Sequence, residues 1–464
     1  MGHTILIKNA AAVVTCDGED HVYRDADILI EGPQIKKIGK SLTDVHDEEV
    51  DASGFFIYPG LINTHHHFFQ TFVRNLKTID YPNMTVPEWL DKAYRVFCLI
   101  NGDVIFYSSL TAMADLIKHG CTCAFDHQYC YTDTTGKTPV DRQMEAAKML
   151  GIRYHAGRGV NTLPRSKGST MPDNMVETTE EYLEDCERII KLYHDPKPFS
   201  MSQIVMAPCQ PINCYKETFT ETIKMARKYG VRMHTHLGEG ENDIMQDRWG
   251  MRTLDWCREI GYVGKDVWVA HAWELKPEEY REMGRLGMGI SHCPSPAILG
   301  GFPILPLKEL KEDDVCVSLG CDGSATNDGS SLLDSMRTAW MMQAWFSKQR
   351  GGCIEPYEML KIATVNGAKT LGRDDLGSLE AGKGADLFMV DTGTLELTGT
   401  LHDPKNLLAR VGVTGPVKMT MINGKVVFKD GQLTGVDERK LAREGEEVCT
   451  KVLRIPSEAF HNLD

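Results

Sequence analysis

The sequence predicts an α/β protein, a (β/α)8 TIM barrel with a small composite β-sandwich domain formed by both termini. Three observations predict this fold class. Strand-like runs occupy both ends of the chain, short apolar runs alternate with helical patterns between them, and eight such units can be counted. Eight βα units favour a closed parallel barrel over an open sheet. The 464 residues leave room for a barrel of roughly 250 residues or more and a second module.

The two ends of the chain share one strand-rich pattern. Apolar or alternating runs bounded by Gly, Pro and Asn lie at 5–9, 11–15, 26–32, 385–391 and 417–431. The dipeptide Asn423-Gly424 between two β-rich runs is a strong hairpin signal. We therefore expect residues 1–58 and 376–464 to form the β-sandwich together, and residues 59–375 to form the barrel.

The middle of the chain repeats a strand followed by a helical pattern. The eight strand candidates are 55–62, 122–126, 152–156, 203–207, 231–235, 267–271, 288–292 and 315–322. Helical patterns between them include 103–119 and 214–229. Each apolar run ends in polar residues, which is the arrangement expected at the upper rim of a barrel.

Histidines and acids fall at the ends of these strands, where barrel enzymes carry their catalytic groups. The strand ends carry His65-His66-His67, His234-Thr-His236, His271, His292 and Asp322. Sixteen histidines among 464 residues would not collect at strand ends in this way by accident. The pattern points to a site at the carboxyl ends of the strands.

This placement predicts a metal site. His65 and His67 are two residues apart on extended backbone, so both side chains point the same way. Imidazole and carboxylate are ordinary zinc ligands, and other first-row metals can replace zinc. His236 adds a third ligand, and Glu239 reaches over the site without binding the ion. The His65-His66-His67 triplet alone could be a solvated cluster. A lone acid at a strand end could be a helix cap, and a lone histidine there could be a packed core residue. Their joint placement at the strand ends favours the metal site.

Four motifs resemble those of the amidohydrolase superfamily. They are Pro59-Gly-Leu-Ile-Asn-Thr-His-His-His, His236-Leu-Gly-Glu239, Ala270-His271 and Cys321-Asp322-Gly-Ser-Ala-Thr-Asn-Asp. The chain is most similar to the branch that contains triazine hydrolases and guanine, 8-oxoguanine and isocytosine deaminases. The likeness covers essentially the whole chain, including 377–387 and the hairpin at 422–427.

The resemblance implies the site residues. The metal ligands are His65, His67, His236 and Asp322; the catalytic groups are Glu239, His271 and Asp322. Binuclear relatives have a bridging Lys or Glu at the fourth strand, where this chain has Ala207-Pro-Cys209-Gln. We therefore expect one divalent ion, Zn²⁺ in the first place and Fe²⁺ as the alternative.

These residues could carry out hydrolytic deamination. A divalent ion lowers the pKa of its water from above 15 to about 7. Asp322 would accept the water's proton, His271 would stabilise the developing charge, and Glu239 would protonate the ring nitrogen beside the attacked carbon. Ammonia would then leave.

Three residues are expected to bind the substrate. They are Gln70, just beyond the first-strand ligands, Trp89, which could cover a flat ring, and Arg158, which could donate to a ring carbonyl. Core packing is the alternative for Trp89 and an ion pair the alternative for Arg158. No role is assigned to His127, Cys209 or His292.

The sequence defines the reaction more closely than it defines the substrate. The residues at 63–71 and 322–328 most resemble those of 8-oxoguanine deaminases, whereas those at 236–240 and 293–297 depart from them. This leaves 8-oxoguanine, isocytosine or a related ring with an amino group between two ring nitrogens. Triazine or pterin amino- or chlorohydrolysis is the alternative, although the retained Asp322 favours deamination. A catalytically silent metal-binding protein is disfavoured because all six site positions are intact.

Composition narrows the partners. A formal net charge of −14 argues against nucleic acid or an anionic membrane, which both attract a basic face. The residues at 1–10 lack the apolar core of a secretory signal. The 14 scattered cysteines are expected to be free thiols in a reducing cytoplasm. The expected partner is a small heterocyclic substrate, and the resemblance adds a homo-oligomer as an expectation.

Overall fold

The chain folds into a parallel barrel and a separate sheet. A computed structural model describes residues 2–347 and 352–454, without the side chains of residues 86 and 87. The strands are β1 (Thr4–Val14), β2 (Val22–Glu31), β3 (Gln34–Gly39), β4 (Glu48–Asp51), β5 (Phe55–Pro59), β6 (Leu61–Asn63), β7 (Cys121–Gln128), β8 (Arg153–Val160), β9 (Ser202–Pro208), β10 (Arg232–Leu237), β11 (Val267–His271), β12 (Gly289–His292), β13 (Cys316–Leu319), β14 (Leu387–Asp391), β15 (Met419–Ile422), β16 (Lys425–Lys429) and β17 (Gln432–Leu433).

Strands β6 to β13 form the barrel in chain order, each parallel to its neighbour. The two ends of this sheet meet, because the Thr64 N–H donates to the Leu319 carbonyl at 3.0 Å and the Asp322 N–H to the His65 carbonyl at 3.0 Å. The predicted (β/α)8 barrel is confirmed. Its closure brings the end of the first strand beside the end of the eighth.

The first barrel strand is shorter than the sequence predicts. The apolar run 55–62 is one strand in the prediction, but the structure divides it at Gly60 into β5, which joins the other sheet, and β6. A side chain at Gly60 would place its Cβ 2.1 Å from Thr122 Oγ1. The chain therefore passes so close to β7 that it leaves one sheet and enters the other at a glycine.

Helices link the barrel strands, and further helices follow the last barrel strand and the second sheet. They are α1 (Val86–Phe97), α2 (Gly102–Lys118), α3 (Pro139–Leu150), α4 (Thr179–Tyr193), α5 (Lys216–Tyr229), α6 (Asn242–Trp249), α7 (Thr253–Ile260), α8 (Pro277–Leu286), α9 (Pro294–Leu299), α10 (Leu307–Glu312), α11 (Ser324–Asn327), α12 (Leu332–Ser347), α13 (Pro356–Ile362), α14 (Val365–Leu371) and α15 (Glu438–Val448). The Asn101 side chain caps α2 by accepting from two backbone N–H groups, and α3 ends at Gly151 with φ of 72°. The expected helices at 103–119 and 214–229 correspond to α2 and α5.

No single helix among the described residues is long and apolar enough to cross a bilayer. The pair Glu88–Phe97 and Gly102–Lys118, bent by 115°, meets the criteria jointly by length and composition alone.

The second sheet is built from both termini, as predicted. It contains nine strands in the order β17-β16-β15-β14-β5-β1-β2-β3, with β4 beside β1. Apolar side chains of its N-terminal and C-terminal strands share one core that includes Ile28, Ile57 and Met421. The expected hairpin is present, since Asn423 and Gly424 connect β15 to β16 with φ of 55° and 72°.

A buried arginine joins the barrel to this sheet. Arg153, fully buried at the start of β8, donates to both carboxylate oxygens of Asp386 at 2.7 and 3.0 Å and to Asn423 Oδ1 at 2.7 Å. The same guanidinium donates to the carbonyls of Phe199 and Ser200. The charge is thus paired and hydrogen-bonded where water cannot reach it, which is the condition for burying it.

Candidate active site

Four of the predicted site residues converge at the carboxyl ends of the barrel strands. The Nε2 atoms of His67 and His236 lie 3.2 Å apart. One carboxylate oxygen of Asp322 lies 3.4 Å from His65 Nε2 and 3.4 Å from His67 Nε2. All four side chains are buried. The predicted ligand set therefore comes together from three distant parts of the chain.

Hydrogen bonds at the far side of two rings settle which nitrogen faces the centre. His67 Nδ1 lies 2.9 Å from the His127 carbonyl and His236 Nδ1 lies 2.7 Å from the Cys209 carbonyl. A carbonyl only accepts, so each Nδ1 carries the hydrogen and each Nε2 of the neutral ring presents a lone pair.

This arrangement fits a cation. Two Nε2 lone pairs face each other at 3.2 Å, and a carboxylate oxygen of Asp322 faces the same space. Burial lowers the pKa of His67 well below its ordinary value and that of His236 to about 4, so neither ring retains a second proton. Neutral imidazoles and a carboxylate are the donor set that a divalent metal ion takes.

Glu239 and His271 stand beside this set. His271 Nε2 lies 3.4 Å from Glu239 Oε1 and 3.9 Å from Asp322 Oδ2. Neither ring nitrogen of His271 makes a hydrogen bond to any of the described residues. His271 and Asp322 both hold left-handed backbone, with φ of 76° and 65°. Non-glycine residues in that conformation are strained and cluster at functional sites.

The surroundings of the Glu239 carboxyl group favour its protonated form. Burial raises its pKa well above the ordinary value, and the neighbouring carboxylates of Asp322, Glu241 and Glu274 raise it further. The Glu241 carboxylate accepts the backbone N–H groups of Gly238 and Glu239 at 2.5 and 2.6 Å. Glu241 thus holds the loop that carries Glu239.

A cavity of about 270 Å³ opens onto these groups. Its wall contains His67, His236, Glu239 and Asp322, together with two of the predicted substrate-binding residues, Gln70 and Trp89. The Gln70 amide oxygen is buried without a hydrogen-bond partner among the described residues, and its amide nitrogen lies 3.5 Å from the Tyr129 hydroxyl. Gln70 is therefore free to bond a polar group placed in the cavity.

Arg158 lies away from this cavity. Its guanidinium pairs with Glu177 at 2.8 Å and with Asp185 at 2.7 Å, and it stacks 3.5 Å from the centre of the Tyr131 ring. The structure thus gives Arg158 the ion-pair contacts that the sequence analysis named as the alternative. The sequence does not identify the partners, because Glu177 lies in a loop and Asp185 lies on α4, both distant from Arg158 in the chain.

The sequence analysis missed the aromatic wall of the cavity. The residues are Tyr81, Tyr94, Tyr129 and Phe302. The Trp89 ring packs edge-on against Tyr81 with ring centres 5.4 Å apart. Only Tyr129 follows a barrel strand, whereas Tyr94 lies on α1 and Tyr81 and Phe302 lie in connecting segments. Aromatic residues scattered in this way give no sequence signal of a shared cavity. A wall of this kind suits a flat ring.

The three strand-end residues without an assigned role have distinct places. Cys209 lines the cavity, and its carbonyl orients His236. His127 donates from Nε2 to the Ala207 carbonyl at 2.8 Å, and its own carbonyl orients His67. His292 is buried, and neither of its ring nitrogens has a hydrogen-bond partner among the described residues.

The fold and the site together define a class, a barrel hydrolase with a histidine and aspartate cation site above its strands. The Amidohydrolase family model matches residues 56–427, and the chain belongs to this family. The predicted enzyme class, a metal-dependent aminohydrolase acting on C–N bonds, is confirmed at that level.

Known relatives span nearly the whole chain. The chain is 45% identical to hydroxydechloroatrazine ethylaminohydrolase of Pseudomonas sp. (strain ADP), over 97% of this chain and 94% of that protein. It is 32% identical to 8-oxoguanine deaminase of Pseudomonas aeruginosa, over 93% and 95%. The crystal structure of atrazine chlorohydrolase from Arthrobacter aurescens TC1 complexed with zinc superimposes with a TM-score of 0.92 at 29% identity, over 96% of this chain and 100% of that chain. A zinc-bound neighbour and the cluster described above fit the predicted divalent ion.

Proposed function

We propose that the chain hydrolyses the bond between an amine and a ring carbon that lies between two nitrogens of a small planar heterocycle. One observation carries the proposal. Three imidazoles and Asp322 surround the space of one cation, next to a cavity that also contains the carboxyl group of Glu239, whose pKa is raised.

His65, His67, His236 and Asp322 would hold one divalent ion, zinc in the first place. Such an ion supplies Lewis acidity, which makes water nucleophilic near neutral pH. The second carboxylate oxygen of Asp322 faces His271 at 3.9 Å. Asp322 is thus placed to accept the proton of the attacking water, and His271 to stabilise the charge that develops on it.

Glu239 acts as the general acid. Its carboxyl group lines the cavity and keeps 26% of its side-chain surface exposed, so a substrate can reach it. Its pKa is raised, which favours the protonated form that a general acid needs. Glu239 delivers its proton to the ring nitrogen beside the attacked carbon, and a proton then passes to the departing amine. A positioned acid of this kind typically contributes 10²- to 10⁴-fold in rate.

The cavity selects a flat, polar ring. Trp89, Tyr81 and Phe302 supply apolar faces, and the buried Gln70 amide supplies one acceptor and two donors. A ring with an oxo or hydroxyl group beside an N–H can satisfy both sides of that amide. Gln70 and Trp89 are therefore proposed as substrate-binding residues, and Arg158 is left with its structural ion pairs.

Two substrate types share this chemistry. A hydroxylated aminotriazine carrying an alkylamine is favoured by the 45% identity to the ethylaminohydrolase. 8-Oxoguanine and isocytosine, which carry their amino group between two ring nitrogens, are favoured by the motif likeness at 63–71 and 322–328 and by the 32% identity to 8-oxoguanine deaminase.

The test is a panel of hydroxylated ethylaminotriazine, 8-oxoguanine, isocytosine and a 2-aminopterin with the zinc-loaded protein. Ammonia is measured by a coupled assay, and ethylamine by chromatography. We expect release of one equivalent of amine, with a kcat/KM for one ring type well above those of the others. Absence of amine release from all four, or chloride release from a chlorotriazine as the main activity, would overturn the proposal.

A further inference from the structure

A further buried histidine, His234, contacts one of the three predicted histidine ligands. His234 lies on β10, two residues before His236, and is fully buried. Its Nε2 lies 2.9 Å from His65 Nδ1, and its Nδ1 lies 3.1 Å from the Trp268 carbonyl oxygen. Two consecutive hydrogen bonds thus connect the Trp268 carbonyl, through the His234 ring, to the predicted ligand His65.

The Trp268 carbonyl determines which ring nitrogen carries the hydrogen in both His234 and His65. Because the Trp268 carbonyl only accepts, His234 carries its hydrogen on Nδ1 and presents a lone pair at Nε2. That lone pair requires the hydrogen of His65 to lie on Nδ1. His65 Nε2 is then left without a hydrogen, and this buried atom has no hydrogen-bond partner among the described residues.

Packing holds the His234 ring in place. Its ring contacts Phe125 and Trp268, with ring centres 4.7 and 4.8 Å away. The Trp268 indole N–H in turn donates to the Thr64 carbonyl at 3.1 Å, directly before His65. One tryptophan thus anchors both His234 and the backbone of the ligand.

His65 differs in this respect from the other two imidazoles. His67 and His236 donate directly to backbone carbonyls, those of His127 and Cys209. His65 reaches its carbonyl only through the ring of His234. A change at His234 therefore alters one ligand and leaves the hydrogen bonds of the other two intact.

We propose that His234 is a positioning residue that sets the tautomer of His65 and thereby prepares Nε2 of that ring for the divalent ion. The proposal rests on the cation site of the proposed function. Outer hydrogen-bond partners of ligating histidines typically contribute 10- to 100-fold in metal affinity. His234 needs no contact with the substrate for this role.

The test measures zinc affinity by competition with a chromophoric chelator, using the full chain and three variants. In His234→Phe an aromatic ring stays but the acceptor is lost, and we expect zinc binding 10- to 100-fold weaker. In His234→Gln the amide can still accept from His65 and donate to the Trp268 carbonyl, so most of the affinity should return. His155→Phe is the matched control, because His155 is also buried in the barrel but contacts Arg373 instead, and its zinc affinity should equal that of the wild type.

Zinc binding by His234→Phe as tight as by the wild type, or by His234→Gln as weak as by His234→Phe, would overturn the proposal. Two zinc ions per wild-type chain would overturn it as well. His65, His127 and His234 each place a ring nitrogen within 4.8 Å of one another, and a second ion there would make His234 a ligand. A wild-type chain that binds no zinc would refute the proposed function instead.

Two spectroscopic readouts complement the affinity measurements, and the second uses only the wild-type chain. The cobalt-substituted His234→Phe protein should show d–d bands that differ from those of the wild type, and His155→Phe should not. Nitrogen-15 shifts of the wild-type chain should show His65 and His234 both protonated at Nδ1. Protonation of either ring at Nε2 contradicts the inference even if His234→Phe does not fold.

Discussion

Replacement of Glu239 by glutamine exchanges an ionisable carboxyl group for an amide of nearly the same size. The side chain keeps its size, and Glu241 still accepts the Gly238 and Glu239 backbone N–H groups, because those bonds do not involve the altered side chain. None of the predicted ligands is changed. We therefore expect Glu239→Gln to bind zinc with wild-type stoichiometry.

The expected loss is in kcat. A positioned general acid contributes 10²- to 10⁴-fold, which corresponds to about 2.7 to 5.4 kcal/mol of barrier. The upper half of that range is expected, because Glu239 is the one cavity-lining carboxyl group whose pKa is raised well above its ordinary value. The assay is steady-state amine release together with zinc analysis of the same sample.

A matched exchange controls for the loss of a carboxylate. Glu278 is exposed in the first turn of α8, and Glu278→Gln should keep both rate and zinc content. Wild-type turnover by Glu239→Gln would refute the acid role. A variant that has lost zinc as well as activity would show instead that Glu239 belongs to the ligand set.

Three further predictions concern the pocket, the pH dependence and the domain junction. Gly323→Ala puts a Cβ 1.9 Å from the Gln70 amide oxygen, so we expect KM to rise more than kcat falls, as steady-state kinetics will show. The wild-type kcat/KM should fall on the alkaline side as Glu239 loses its proton, at a pH well above the ordinary carboxyl pKa; a pH profile flat into the alkaline range contradicts this. Arg153→Ala leaves Asp386 buried without its partner and should cost about 3 to 5 kcal/mol of unfolding free energy, measured by denaturant titration.

The positions of the predicted metal ligands follow from two geometric properties of the fold. Two histidines two apart on a strand share a face, and barrel closure places all strand ends on one rim. His65, His67, His236 and Asp322 could therefore be placed together before any coordinates, and the structure brings them within a few ångströms.

The misplaced features depend on contacts between residues distant in the chain. The break at Gly60 arises from Thr122 on the neighbouring strand. The environment of Arg158 depends on Glu177 and Asp185, which come back to it only after a loop and a helix turn. The aromatic wall is assembled from helix α1, the end of β7 and two connecting segments. His234 orients His65 through contacts that no spacing rule contains.

Zinc content measured together with amine release shows whether one bound ion is required for the reaction. The purified chain is stripped with a chelator, dialysed against buffered zinc, and assayed for metal content and amine release at each step. We expect one zinc ion per chain at saturation and no amine release by the stripped protein. Amine release should recover fully after one equivalent of zinc is added. A stripped chain that releases amine at the full rate, or one that takes up no zinc, would contradict this expectation.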